Sequence, residues 1–228
     1  MKKFKLFFCI LLSLTIFNTL KSAEQVDPIQ VDWSFKGLLG KFDRASLQRG
    51  YQVYNEVCAS CHSMQYLSYR NLGEPGGPEF SEEEVKAIAA GFEVTDGPDA
   101  QGEMFTRSGR PSDKFVSPYP NVNAAAAANG GAYPPDMSVL VKARKGGANY
   151  IYSVLVGYEE PPLGVTLDEG VYYNKYMIGN KIKMPNNLSD GLVEYADGTE
   201  ATVDQMAKDV TTFLSWAAEP ELESRHKT

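Results

Sequence analysis

Histidine and cysteine are scarce in this chain: two histidines and three cysteines in 228 residues. A structural zinc site takes four such ligands, usually as two close pairs. The sequence holds one close pair, Cys58 and Cys61, and its second histidine, His226, stands in a charged tail. Surplus positive charge is missing as well. The 22 Lys and Arg against 29 Asp and Glu leave a formal charge of −7, which argues against a nucleic-acid partner. No apolar run reaches the about 20 residues that span a bilayer as a helix. The apolar stretch "LFFCILLSLTIF" is shorter and follows the basic "MKKFK". That order reads as a signal peptide over residues 1–23, cleaved near Ala23, and it takes Cys9 out of the mature domain. No internal repeat is visible.

What the chain does contain is apolar and aromatic: 43% hydrophobic residues, with 13 Tyr, 11 Phe and 2 Trp. That is enough for one medium domain with its own core. Twenty Gly and 13 Pro imply much irregular backbone between short elements. Acidic clusters recur in "SEEEVK", "TDGPDAQGE", "GYEE" and "LDEG". They suit solvated loops or a docking face for a positively charged partner.

Several elements can be placed. Asp43 is a fair N-cap for a helix running through "RASLQRGYQVYNEVCASC", with Leu47, Tyr54, Cys58 and Cys61 near one face. Ser81 and Glu84 have capping-box spacing for a helix that stops at Gly91. From there to Pro134 the text is loop-like, with a five-alanine run, Ala124 to Ala128, long enough for one helical turn. "PPDMSVLVKARKGG" predicts a helix from Asp136 to near Gly146, and "ANYIYSVLVGYEEPP" a short one closed by Gly157. "VEYADGTEA" predicts a hairpin turned at Asp197-Gly198. Thr202 and Gln205 form a second capping box for a helix ended by Pro220, with Val203, Met206, Val210, Phe213 and Ala217 on one face.

The densest chemistry is "CASCH", residues 58 to 62. C-x-x-C-H is the attachment signature of a c-type haem. On one helical turn two thiols three residues apart project to the same side and bond the two vinyl groups of a porphyrin edge. The adjacent His62 then offers an imidazole nitrogen to the iron. A thioredoxin-like redox pair would need a βαβ setting that the flanking residues do not suggest. A disulfide across two intervening residues is strained. For the sixth iron position a second histidine inside the domain is absent, and the sulfurs of Met64, Met104, Met137, Met177, Met184 and Met206 compete. Met64 lies too near His62 to reach the opposite face, and Met206 reads as core. Met184, in the loop "GNKIKMPNNL" and followed by Pro185, is the best placed on spacing. The other methionines and an open site remain alternatives.

Four stretches carry a resemblance: "RGYQVYNEVCASCHSMQYLSYR", "GGAYPPDMSVLVKARKGGANYIYSVLVGYEEPPLGV", "YYNKY" and "ATVDQMAKDVTTFLSWAAEPE". From about Asp32 onward the chain resembles the cytochrome c1 family, the haem subunits of cytochrome bc1 complexes. The resemblance implies a mainly α fold, a class I cytochrome c-like core with long loop insertions and a small hairpin. It implies one covalent haem c, with Cys58 and Cys61 as thioether attachments and His62 and Met184 as the two iron ligands. It places Arg144 and Tyr150 at the haem propionates and Asn129, Ala132, Pro134 and Pro135 in the pocket lining. Residues 24–220 are then the haem domain, and residues 221–228 a linker to an expected C-terminal membrane anchor.

The function implied is one-electron transfer without substrate chemistry of its own, in a respiratory or photosynthetic chain. The donor would be the Rieske iron–sulfur protein and the acceptor a soluble or membrane-anchored c-type cytochrome, with cytochrome b as neighbour. The site would face the periplasm or the mitochondrial intermembrane space. A free periplasmic monohaem carrier is one alternative. A haem peroxidase or sensor with an open sixth position is another.

Overall fold

The computed structural model describes residues 26–227; the segment assigned to the signal peptide, with Cys9, lies outside them. Helix α1, Arg44–Val53, starts where expected, with the Asp43 carboxylate accepting from the Ser46 N–H at 2.7 Å. It does not run to Cys61 as an α-helix. At Tyr54 it widens into a π-helical turn, Tyr54–Cys58, closed by the Ala59 N–H on the Tyr54 carbonyl at 2.8 Å. The His62 N–H then bonds the Cys58 carbonyl at 2.9 Å. Wide turns of this kind recur at functional sites because they re-aim the side chains that follow.

Helix α5, Val203–Ala218, packs against α1. Contact is so close that a Cβ on Gly50 would lie 2.1 Å from the Asp209 carbonyl oxygen, so only glycine fits there. Tyr51 and Tyr54 each bring a ring centroid to 5.7 Å from that of Phe213, which in turn packs on Trp216. Burying each such aromatic contributes about 1.5–3 kcal/mol. The crossing also contains a charge: Asp209 is fully buried and takes hydrogen bonds from Arg49, Ser46 and Gln205. The Gln205 side chain therefore does not reach back to complete a capping box; Thr202 caps α5 alone, through the Gln205 N–H at 3.1 Å.

Helix α4, Gly147–Val156, packs on α5 and ends at Gly157, as expected. The N-terminal arm, without periodicity of its own, is fastened to α4. The Trp33 indole donates to Asn149 Oδ1 at 2.7 Å and the Ile29 N–H to Ser153 Oγ at 2.8 Å. Helix α2, Glu82–Ala90, carries the expected capping box. The region read as loop contains more order than its composition suggests: strands β1, Glu93–Asp96, and β2, Phe105–Ser108, pair antiparallel from Glu93↔Ser108 to Asp96↔Phe105. The alanine run forms helix α3, Val122–Ala128, capped by Asn121.

Two expected elements are replaced by turns. Asp136 does not start a helix: residues 137–146 are turns and bends, because the Asp136 carboxylate accepts from the Ser138 N–H two residues on and so competes with the helical pattern. Asp197-Gly198 forms a turn with no flanking strands. The second small antiparallel pair lies earlier, β3, Tyr172–Tyr173, with β4, Lys181–Ile182. Within the stretch assigned as a linker, Leu222–His226 is a short helix, α6, docked on the domain. Glu223 accepts from the Phe42 N–H and from Arg44, and the His226 Nδ1–H donates to the Gly40 carbonyl at 2.9 Å. Among the described residues no helix is long and apolar enough to cross a membrane. The architecture is mainly helical with small two-stranded sheets, in agreement with the fold class expected.

Candidate functional site

A cavity of about 540 Å³ opens between the turn after α1, the 128–144 segment, α4, α5 and the strand β4 loop. Cys58, Cys61, His62, Asn129, Ala132, Pro134, Pro135, Arg144, Tyr150 and Met184 all line it. Ten residues spread over more than half the chain thus meet at one place.

The geometry of His62 is set by its neighbours. Its Nδ1 lies 2.8 Å from the Pro135 carbonyl oxygen. A carbonyl only accepts, so Nδ1 carries the proton and Nε2 keeps its lone pair. Burial lowers the imidazole's pKa below 6.5, against the raising effect of the Pro135 bond, so the ring is neutral at pH 7. Nε2 has no hydrogen-bond partner among the described residues, which is the state a metal ligand requires.

Pro135 is itself held in position. The next residue, Asp136, accepts from Ser63 Oγ at 2.7 Å, from the Gln65 N–H at 2.9 Å and from the Ser138 N–H at 2.8 Å. The Met137 N–H adds a bond to the Ser63 carbonyl at 2.8 Å. Burial works against the charge, but these hydrogen bonds hold the Asp136 carboxyl below its usual range. The two residues that follow His62's partner are therefore strapped to Ser63 and Gln65, just after His62. The sequence marked Asp136 as a helix start, and the strap was missed for that reason.

Cys58 and Cys61 are free thiols. Burial, and then the neighbouring Cys61, push the Cys58 thiol up to about 12, so it is protonated at neutral pH; both sulfurs stand at the cavity edge within one turn of His62.

Of the six competing methionines, Met137, Met177 and Met184 line the cavity. Met64 and Met206 are fully buried elsewhere, and Met104 is exposed between β1 and β2. Met137 belongs to the strap on the His62 side. The sulfur of Met177 accepts from the Tyr150 hydroxyl at 3.4 Å. Met184 is half-buried, and its sulfur has no such partner among the described residues. Arg144 is exposed at the cavity mouth, with its one hydrogen bond to the Ala143 carbonyl, so its guanidinium is available to a carboxylate. The Asn129 amide bonds Tyr119 and the Ala125 carbonyl, closing α3 beside the cavity.

The rest of the wall, including Leu140, Ile151, Val154, Leu155, Val210 and Leu214, comes from the apolar faces of α4, α5 and the turns. Periodicity identifies those faces as core but does not say that part of the core is hollow. The size, the apolar wall, the paired thiols and the free imidazole nitrogen together fit a covalently tethered haem.

The Cytochrome C1 family model matches residues 33–228. The chain is 56% identical over 193 residues to "Cytochrome c1-2, heme protein, mitochondrial" of Solanum tuberosum, covering 85% of this chain and 73% of that protein. It is 51% identical over 210 residues to "Cytochrome c1" of Rhodospirillum rubrum, covering 85% and 76%. The corresponding protein of Saccharomyces cerevisiae, "Cytochrome c1, heme protein, mitochondrial", is 53% identical over 196 residues, covering 86% and 62%.

Proposed function

The chain belongs to the cytochrome c1 family, and we propose that it carries one covalent haem c in the cavity above and works as the electron-transfer subunit of a quinol–cytochrome c reductase. The observation that carries this reading is the single free nitrogen of His62, aimed by the Pro135 carbonyl, beside two thiols one turn away.

When bound, the haem iron supplies a one-electron couple whose potential is raised by His/Met ligation. Cys58 and Cys61 fix the group's edge to the chain. His62 gives its Nε2, and the Pro135 bond keeps the ring from turning. Met184 is the sixth ligand: it is the cavity methionine that is neither in the His62 strap nor engaged through sulfur. With His62 and Met184 both holding the group, the site would supply electron transfer and not oxygen or peroxide chemistry. Arg144, exposed and free for an anion, and Tyr150 receive the propionates. Asn129, Ala132, Pro134 and Pro135 cover the rest of the rim with small or rigid residues.

The donor is the Rieske iron–sulfur protein and the acceptor a c-type cytochrome, with cytochrome b alongside. The related protein of Candida albicans is named as a catalytic subunit of the cytochrome b-c1 complex, which supports an assembly of this kind. The haem domain follows a leader over residues 1–23 and faces the periplasm or the intermembrane space, with a C-terminal helix as membrane anchor.

Ferric and ferrous spectra with a covalent-haem stain on a denaturing gel test the haem. In the ferric protein, sulfur ligation gives a weak near-infrared band. Met184→Leu is expected to abolish it while the stain persists; a band that survives the substitution sinks the ligand assignment.

A further inference from the structure

We infer that Tyr158 is a positioning residue for Met184, its phenol tying the distal loop to the end of helix α4. The inference rests on Met184 being the sixth ligand.

The distal loop has little else to hold it. After β4 pairs with β3, the backbone of residues 183–187 makes, among the described residues, one hydrogen bond to another segment: the Met184 carbonyl accepts from the Tyr158 hydroxyl at 3.0 Å. Pro185 has no N–H to contribute. Lys183 reaches the Gly130 carbonyl, but from an exposed and flexible side chain. The position of Met184 therefore depends on whatever fixes Tyr158.

Tyr158 is firmly fixed. It follows Gly157, where a Cβ would lie 2.5 Å from the Tyr176 ring and 2.6 Å from the Ser153 carbonyl oxygen. The Gly157 carbonyl accepts from the Lys175 N–H at 3.1 Å, and Tyr158 itself bridges to Asn174. Asn174 is fully buried. It donates to the Val154 carbonyl at 2.7 Å and accepts from the Tyr176 N–H at 3.1 Å. The phenol thus extends from the helix whose Ile151, Val154 and Leu155 line the cavity. It borders the same small space as Met184, Pro185 and His62. One hydroxyl transmits the helical frame to the loop that carries the ligand sulfur.

Haem-loaded protein with Tyr158→Phe tests the role, since the change removes only the hydroxyl. The expected results are a weaker near-infrared sulfur band, a lower midpoint potential, and ferrous carbon monoxide binding about threefold to tenfold tighter. That factor corresponds to the net worth of one hydrogen bond. Tyr51→Phe, a buried ring in the helix crossing outside the cavity lining, is expected to leave all three readouts unchanged and controls for loss of any phenol. Band, potential and carbon monoxide affinity in Tyr158→Phe equal to those of the parent protein overturn the inference, provided Met184→Leu loses the band. Retention of the band in Met184→Leu overturns the ligand assignment and this inference with it.

Discussion

On one side of the cavity, His62 is held by the Pro135 carbonyl, the next residue Asp136 is strapped to Ser63 and Gln65, and His62 follows a helix locked into α5 through Gly50 and Asp209. On the other side, the backbone of residues 183–187 carries, among the described residues, a single hydrogen bond to another segment. The two sides differ in redundancy. Near His62, several contacts would have to fail together before the ring moved. Around Met184, one contact governs. Stability therefore belongs to the His62 side, and on the ligation proposed above the other side is where the sulfur's position is adjusted.

The comparison is broken most sharply at Asp209. Its carboxylate is fully buried and Arg49 is 16% exposed, so Asp209→Ala leaves a largely buried guanidinium without its main partner. A loss of about 3–5 kcal/mol in denaturant unfolding is expected. A loss below 1 kcal/mol would show that the crossing is less locked than its contacts imply.

Asp136→Ala is expected to cost about 1–3 kcal/mol by orphaning the Ser63, Gln65 and Ser138 donors. It should also lower the yield of stained holoprotein, because the Pro135 carbonyl loses its fixed place.

A smaller effect on the pinned side depends on pH. Hydrogen bonding from Arg44, opposed by burial and aided by the Phe42 N–H, holds the Glu223 carboxyl below its ordinary 4.5. A depressed carboxyl contributes stability above its unfolded value and loses that contribution as pH falls through the folded one. Parent protein should therefore exceed Glu223→Gln by about 1 kcal/mol at pH 7, discounted for the partly exposed Arg44. The two should converge in unfolding experiments as pH falls through the depressed value of the folded carboxyl. The smallest change belongs to the sparse side: Lys183→Ala removes an exposed side-chain bond to Gly130 and should shift stability by no more than about 0.5 kcal/mol.

The same asymmetry governs what could be read from the sequence. Local signals were reliable where the chain decides its own structure: Asp43, Ser81 and Thr202 cap helices, and Gly91 and Gly157 end them. "CASCH" points to attachment chemistry from spacing alone, and Arg144, Tyr150, Asn129 and Met184, which the resemblance named together, line one cavity with it. What escaped was long-range. Asp136 has the look of an N-cap, and only its meeting with Ser63 and Gln65 makes it a strap. Gln205 has capping-box spacing, yet a buried Asp209 one turn on is the better acceptor for its amide. The β1–β2 hairpin lies in Gly- and Asp-rich text where pairing is enforced by Arg107 bridging Asp96 and Asp113, which no alternation of polar and apolar residues announces. Tyr158 carries no signal at all, because its role depends on a hydrogen bond to a carbonyl 26 residues away.

The π-helical turn at Tyr54–Cys58 has a consequence for how this chain tolerates changes in length. A π-helical turn amounts to one residue inserted into an α-helix whose start and end are already fixed. Deleting a single residue between Tyr54 and Val57 would take out the inserted one and let α1 continue in regular form, with Cys58, Cys61 and His62 still carried toward the cavity. Deleting one from the regular turns of Arg44–Val53 would instead rotate everything after it by about 100° around the helix axis and swing the three residues away together. The wide turn is the place where this segment can lose a residue and keep its motif in register.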